Sequence, residues 1–161
     1  MSGIASVRSL ATPMLAGIVG CIVCASGLAV AIGGWKFEIR WLAAPVPGAS
    51  SMKINTAVCI GLIGASIAIL GLTKLRWIAT CLGVVVIAGG GFSLVEHATR
   101  STATWFDLAL SNVTFGESAE YINRMGINTA FCFVLMGVAI VLISRKWLVT
   151  FAQVLALVVS L

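Results

Sequence analysis

The stretch Ile54-Asn-Thr-Ala-Val-Cys-Ile-Gly-Leu-Ile-Gly-Ala-Ser-Ile-Ala-Ile-Leu-Gly-Leu72 carries no charged side chain from end to end. At about 1.5 Å of rise per residue, a helix of that length covers nearly the roughly 30 Å of hydrocarbon in a bilayer. Residues 14–35, 77–95 and 127–144 form three more uncharged apolar runs of similar length. The whole composition follows from them: of 161 residues, 60% are hydrophobic and 9% charged, and the mean hydropathy is +1.13. A soluble globular chain carries about 25% charge, so a water-soluble domain is excluded. Disorder is excluded by the hydrophobicity, and a collagen-like chain by 17 glycines that follow no strict period. The expected fold is an all-α integral membrane bundle of about five transmembrane helices. The fifth, which begins at Trp147, is expected to be incomplete at Leu161.

Charge gives the expected orientation. The two tightest turns between spans, Thr73-Lys74-Leu75-Arg76 and Ser144-Arg145-Lys146, are basic and carry no acid. Short basic loops stay on the cytoplasmic side, which puts residues 1–13, with Arg8, inside as well. Ala29-Val30-Ala31 resembles a signal-peptide cleavage site, but the long apolar run around it reads as a retained helix. Residues 36–53 and 96–126 then form outer loops, and Glu96, Asp107, Glu117 and Glu120 lie in the second of them. The net charge of +5 contains no basic run that would suit nucleic acid. All five tryptophans stand at span ends or in the outer loops, where an amphipathic ring keeps one edge wet.

The chain also repeats itself. Met52, Ile54, Asn55, Thr56, Ala57, Cys59, Leu62, Gly64 and Ile67 return as Met125, Ile127, Asn128, Thr129, Ala130, Cys132, Leu135, Gly137 and Ile140. Each copy runs through a basic turn and a tryptophan, Trp77 or Trp147, into the next helix. The repeated unit reads as a helical hairpin, residues 54–95 and 127–161. An even number of spans between the copies makes them parallel in the membrane.

Candidate chemistry is sparse. Asn55-Thr56 and Asn128-Thr129 stand where a side-chain oxygen can cap a helix start, or where the two pairs can meet across the repeat interface. Gly61, Gly64 and Gly137, like Ala16-Gly20-Cys24, mark small-residue stripes that let helices approach closely in lipid. Glu96 and His97, with Asp107 in the same loop, are the candidate sensing or ligand-binding groups, weighed against simple solvation at the interface. Their spacing demands no metal. Cys21-x-x-Cys24 lies mid-span without a polar neighbour and reads as packing, as do the other cysteines. Gly89-Gly90-Gly91 permits a kink or a close approach, and Trp105 to Leu110 reads as an interfacial lid. Asn112-Val113-Thr114 matches a glycosylation sequon that recurs by chance. No catalytic set is legible, and no cofactor is expected.

The ordered set Trp41-Leu42, Pro47-Gly48, Met52 to Ala57, Phe92 to Glu96, Trp105-Phe106-Asp107 and Met125 to Ala130 resembles the membrane-embedded amino-terminal region of certain bacterial sensor histidine kinases. Similar regions precede diguanylate cyclase modules. The resemblance covers roughly residues 30–161, and its distinctive part is the doubled Asn-Thr-Ala opening. This sequence departs from the family in having Ile54 and Ile127 where proline is commoner. The resemblance implies an input or anchoring module in a bacterial inner membrane, whose output part lies beyond Leu161 and after at least one further span. No kinase residue carries over. A reading from a different class is a small structural accessory subunit of a larger membrane complex. Expected partners are the lipid bilayer and either a second copy or that larger complex, with no nucleic acid.

Overall fold

The computed structural model describes residues 2–44, 51–99, 125–146 and 149–160, all of whose regular elements are helical. Helix α1, Ser2–Leu28, passes without a break into a π-helical stretch, Ala29–Lys36. A short α2, Arg40–Ala43, follows within the segment expected to be an outer loop. Helices α3 (Ile54–Leu72), α4 (Arg76–Thr99) and α5 (Ile127–Ser144) come next, and then a 12-residue α6, Val149–Ser160. Four helices are long and apolar enough to cross a membrane: Thr12–Lys36, α3, α4 and α5. The 12 residues of α6 reach only about 18 Å, short of a crossing. Where five spans are expected from the sequence, the described residues therefore contain four.

Large apolar side chains face outward, above all on α1 and α4. Met14, Leu15, Ile18, Val19 and Ile22 on α1, with Val84, Val85 and Val95 on α4, are all exposed. So continuous an apolar surface is not stable in water and calls for hydrocarbon around it. The hydroxyls meet the same constraint. Ser66, Thr80, Thr99 and Ser144 each donate to the carbonyl four residues earlier on their own helix, at 2.8, 3.1, 2.8 and 2.5 Å. A hydroxyl satisfied in this way costs little in lipid but ties no helix to another.

The helices are held by close backbone approach instead. On α1, a β-carbon at Gly27 would lie 2.5 Å from the amide nitrogen of Gly61 and 2.7 Å from the carbonyl of Ala57. Gly20 faces the backbone of Gly64 and Ala68, and Gly64 in turn faces Cys24. The α4–α5 pair repeats the device, with Gly90 2.7 Å from the Ala130 carbonyl and Gly137 2.8 Å from the Gly83 carbonyl on the same measure. Gly61 itself has room, its nearest neighbour being 3.9 Å away. Between the pairs, Cys59 and Ile63 of α3, Val86 of α4, and Phe133 and Ile140 of α5 form the core with Met125 and Ala130. The turn from α3 to α4 closes when Thr73 donates to Ile69 at 2.9 Å and accepts from the Leu75 amide at 3.2 Å. The turn after α5 bends at Lys146, whose φ is 56°.

Two glycines separate close approach from mere flexibility. Gly64→Leu drives a side chain into Cys24 backbone that cannot step aside, and is expected to destabilise the purified protein by about 1–3 kcal/mol or more. Gly91→Ala meets nothing within 4 Å and is expected to be neutral or to gain up to about 1 kcal/mol from helix propensity. Reversible unfolding in mixed micelles, followed by circular dichroism, checks both, and equal losses would refute the role of close approach.

Candidate functional site

The helix starts are not capped by the asparagines. Helix α3 begins at Ile54 after Lys53, and α5 begins at Ile127 after Gly126, with no side-chain cap bond at either residue. Asn55 and Asn128 are therefore already inside the first turn, where their side chains project sideways rather than over the open amides. Asn128 is exposed, while Thr56 and Thr129 are partly buried. Asn55 instead lines a chamber.

That chamber encloses about 340 Å³ between α3 and α4. Its walls are single helix faces: Asn55, Val58, Cys59 and Leu62 from α3, and Val85, Ala88, Gly89, Phe92, Ser93 and Glu96 from α4, with Met125 closing one end. Steps of three and four residues put each set on one side of its helix. Gly89 keeps the cleft open, since a β-carbon there would lie 3.4 Å from the Cys59 sulfur. The polar groups gather at one end, away from the Lys74 turn. Ser93 and Glu96 are each only 6% exposed there. Among the described residues the Ser93 hydroxyl has no hydrogen-bond partner, unlike the other serine and threonine hydroxyls of the spans described above.

Glu96 and His97 thus lie in helix α4, which continues to Thr99, and not in a loop that starts at residue 96. The apolar run stops at Val95, but the helix persists because Glu96 turns inward. The two residues do different work. Glu96 lines the chamber, whereas His97 Nε2 sits 2.8 Å from the Met125 carbonyl. A carbonyl oxygen only accepts, so Nε2 carries the proton. Asp107, and with it the segment expected to form a lid, lies outside the described residues. Among the described residues, no group of three histidine, cysteine or acidic side chains is placed to hold a metal ion.

A second ring latch was not legible in the sequence. Trp35 is 3% exposed and donates from Nε1 to the Met52 carbonyl at 2.9 Å. The Met52 amide in turn donates to the Ala43 carbonyl at 2.7 Å, pinning α2 beside the entry to α3. Met52 and Met125 are the matching first residues of the two sequence copies. Ser93 was also missed, although counting back from Glu96 by three would have placed it on the same face.

No protein-family model, curated protein or solved structure matches this chain. The site is therefore read from its own geometry: an apolar slot with an acid, an amide and a hydroxyl at one end, next to a histidine that staples α4 to the start of α5.

Each latch is testable alone. Trp35→Phe and His97→Leu each remove a donor and leave a methionine carbonyl unsatisfied, a loss of about 1–3 kcal/mol. His97→Gln keeps an N–H and is expected to recover part of that loss in the same micelle unfolding assay. An unchanged midpoint for His97→Leu would refute the latch.

Proposed function

We propose that this chain is the membrane-embedded input or anchoring module of a bacterial signal-transduction receptor, of the sensor histidine kinase kind. The observation that carries the reading is the chamber between α3 and α4, with buried Glu96 and Ser93 at one end of it, and the tight basic turn that joins the far ends of the same two helices. A cue that fits one packing of α3 on α4 better than another shifts the population between the two. Because the helices are stiff and joined by Thr73 to Leu75, a change at the chamber end is transmitted to the turn. The basic turns face the cytoplasm on this reading, as does the amino terminus, and the chamber end faces outward.

The repeat belongs to the same proposal. Its support is a set of paired contacts: Trp35 on Met52 against His97 on Met125, and Gly27 on Ala57 against Gly90 on Ala130. On this reading α1–α3 and α4–α5 are equivalent antiparallel pairs repeated in one orientation, a unit shifted by one helix from the hairpin in the sequence. One pair, α1–α3, would anchor while the other moves against it.

A small accessory subunit is the competing reading, favoured by the outward apolar face of α1, which suits a neighbouring protein as well as lipid. Intact mass of the native gene product, purified in mild detergent, separates the two. The expected result is a mass well above 16.7 kDa, by an output domain on the order of 100–200 residues or more. A mass of 16.7 kDa with stably co-purifying partners would overturn the receptor reading.

A further inference from the structure

We propose that the chamber between α3 and α4 binds a small molecule from the bilayer that has an apolar body and a terminal hydroxyl, with the hydroxyl seated at Ser93 and Glu96. A volume of about 340 Å³ falls within the range of small-molecule pockets, roughly 300–1,000 Å³. The chemistry of its lining then narrows the occupant in three steps.

Polarity is graded along the slot. Asn55, Ser93 and Glu96 stand at the end closed by Met125, while Leu62 and Val85 line the other. From Glu96 to Val85 the α4 wall runs about 16 Å at helical rise. An occupant with one polar end and an apolar body matches that gradient, and lies as an amphiphile already lies in a bilayer.

The Ser93 hydroxyl decides the head group. Ser66, Thr80, Thr99 and Ser144 all close on their own helix, but Ser93, on the same kind of helix and 6% exposed, does not. Its oxygen can accept and its proton needs an acceptor. A hydroxyl on the occupant accepts that proton and donates its own onward to a carboxylate or an amide oxygen. An ammonium cannot accept from Ser93, and an ether accepts but has nothing to donate onward, so each makes only one of these two bonds.

The entrance lies on the lipid side. Val85 and Phe92, both chamber-lining, are exposed on a helix of spanning length. The occupant therefore enters sideways from the hydrocarbon. That it acts as the cue rests on the signalling reading above; that it binds does not, and the two can fail separately.

The test uses the whole protein in phospholipid nanodiscs and three matched probes, each a medium-length alkyl chain with a mid-chain diazirine. One ends in a primary alcohol, one in its methyl ether and one in a primary amine. After photolysis, peptide mass spectrometry locates the adducts. The alcohol is expected to label the chamber around Cys59 and Phe92, about tenfold more than the ether. Ser93→Ala is expected to lower labelling by the alcohol and by the ether alike, since both accept from its hydroxyl, and to leave the alcohol ahead. Gly89→Leu, which fills the slot, is expected to abolish both, with the unfolding midpoint of each variant reporting that it still folds. Equal labelling by alcohol and ether, or no effect of Ser93→Ala, would mean a groove filled by lipid chains and would overturn the proposal. Stronger labelling by the amine would make this a cation site, and adducts confined to the outer face of α1 or a cross-link to a second copy would equally overturn it.

Discussion

Everything in this bundle depends on backbone meeting backbone at a few glycines. In lipid, apolar side chains gain nothing by leaving one hydrocarbon for another, so helices associate through van der Waals contact and what polar bonding the interface holds. Here the hydroxyls of Ser66, Thr80, Thr99 and Ser144 turn back onto their own helices, and the contacts at Gly27, Gly64, Gly90 and Gly137 remain. Each brings main-chain atoms to a distance that any side chain would prevent. The result is two tight pairs, α1 with α3 and α4 with α5, joined by a looser packing of α3 on α4.

The chamber is the complement of those tight contacts. Two helices drawn firmly to outer partners leave space where they face each other, and Gly89 widens that space by leaving out a side chain. Into its end project groups that hydrocarbon solvates poorly. Burial of Glu96 and Ser93 carries a cost, and structures that retain such groups at membrane depth commonly do so for function. The ring latches at Met52 and Met125 fix the geometry of that same end.

The spans were legible because length and hydropathy act locally. Ile54–Leu72 and Ile127–Ser144 begin and end where the sequence places them, at a change from charge to apolar run. Failure came where the partner of a residue lies far along the chain. Glu96 reads as the first loop residue because it is charged, yet it stays helical since it faces inward. Asn55 and Asn128 read as caps from their position near a helix start, but caps are set by which residue leaves helical geometry, and those are Lys53 and Gly126. Stripes of small residues were visible, but which stripe meets which was not. The distinction between Gly64, pressed against Cys24, and Gly61, with room to spare, depends on helix rotation that no local pattern encodes.

The π-helical stretch from Ala29 to Lys36 has a bearing on how this chain tolerates insertion and deletion. With α-helical pitch throughout, Trp35 would lie about 80° around the axis from Gly27, eight residues on at about 100° each. A wider turn takes more residues per revolution and holds Trp35 back toward the side on which Gly27 meets α3. The stretch acts as a phase correction between two fixed points, a glycine contact set by close packing and a ring set by a hydrogen bond. Indels of one residue are therefore not equivalent along this helix. Before Gly27 they rotate one glycine contact out of line with another, whereas within the wide turn there is slack that a change of pitch can absorb.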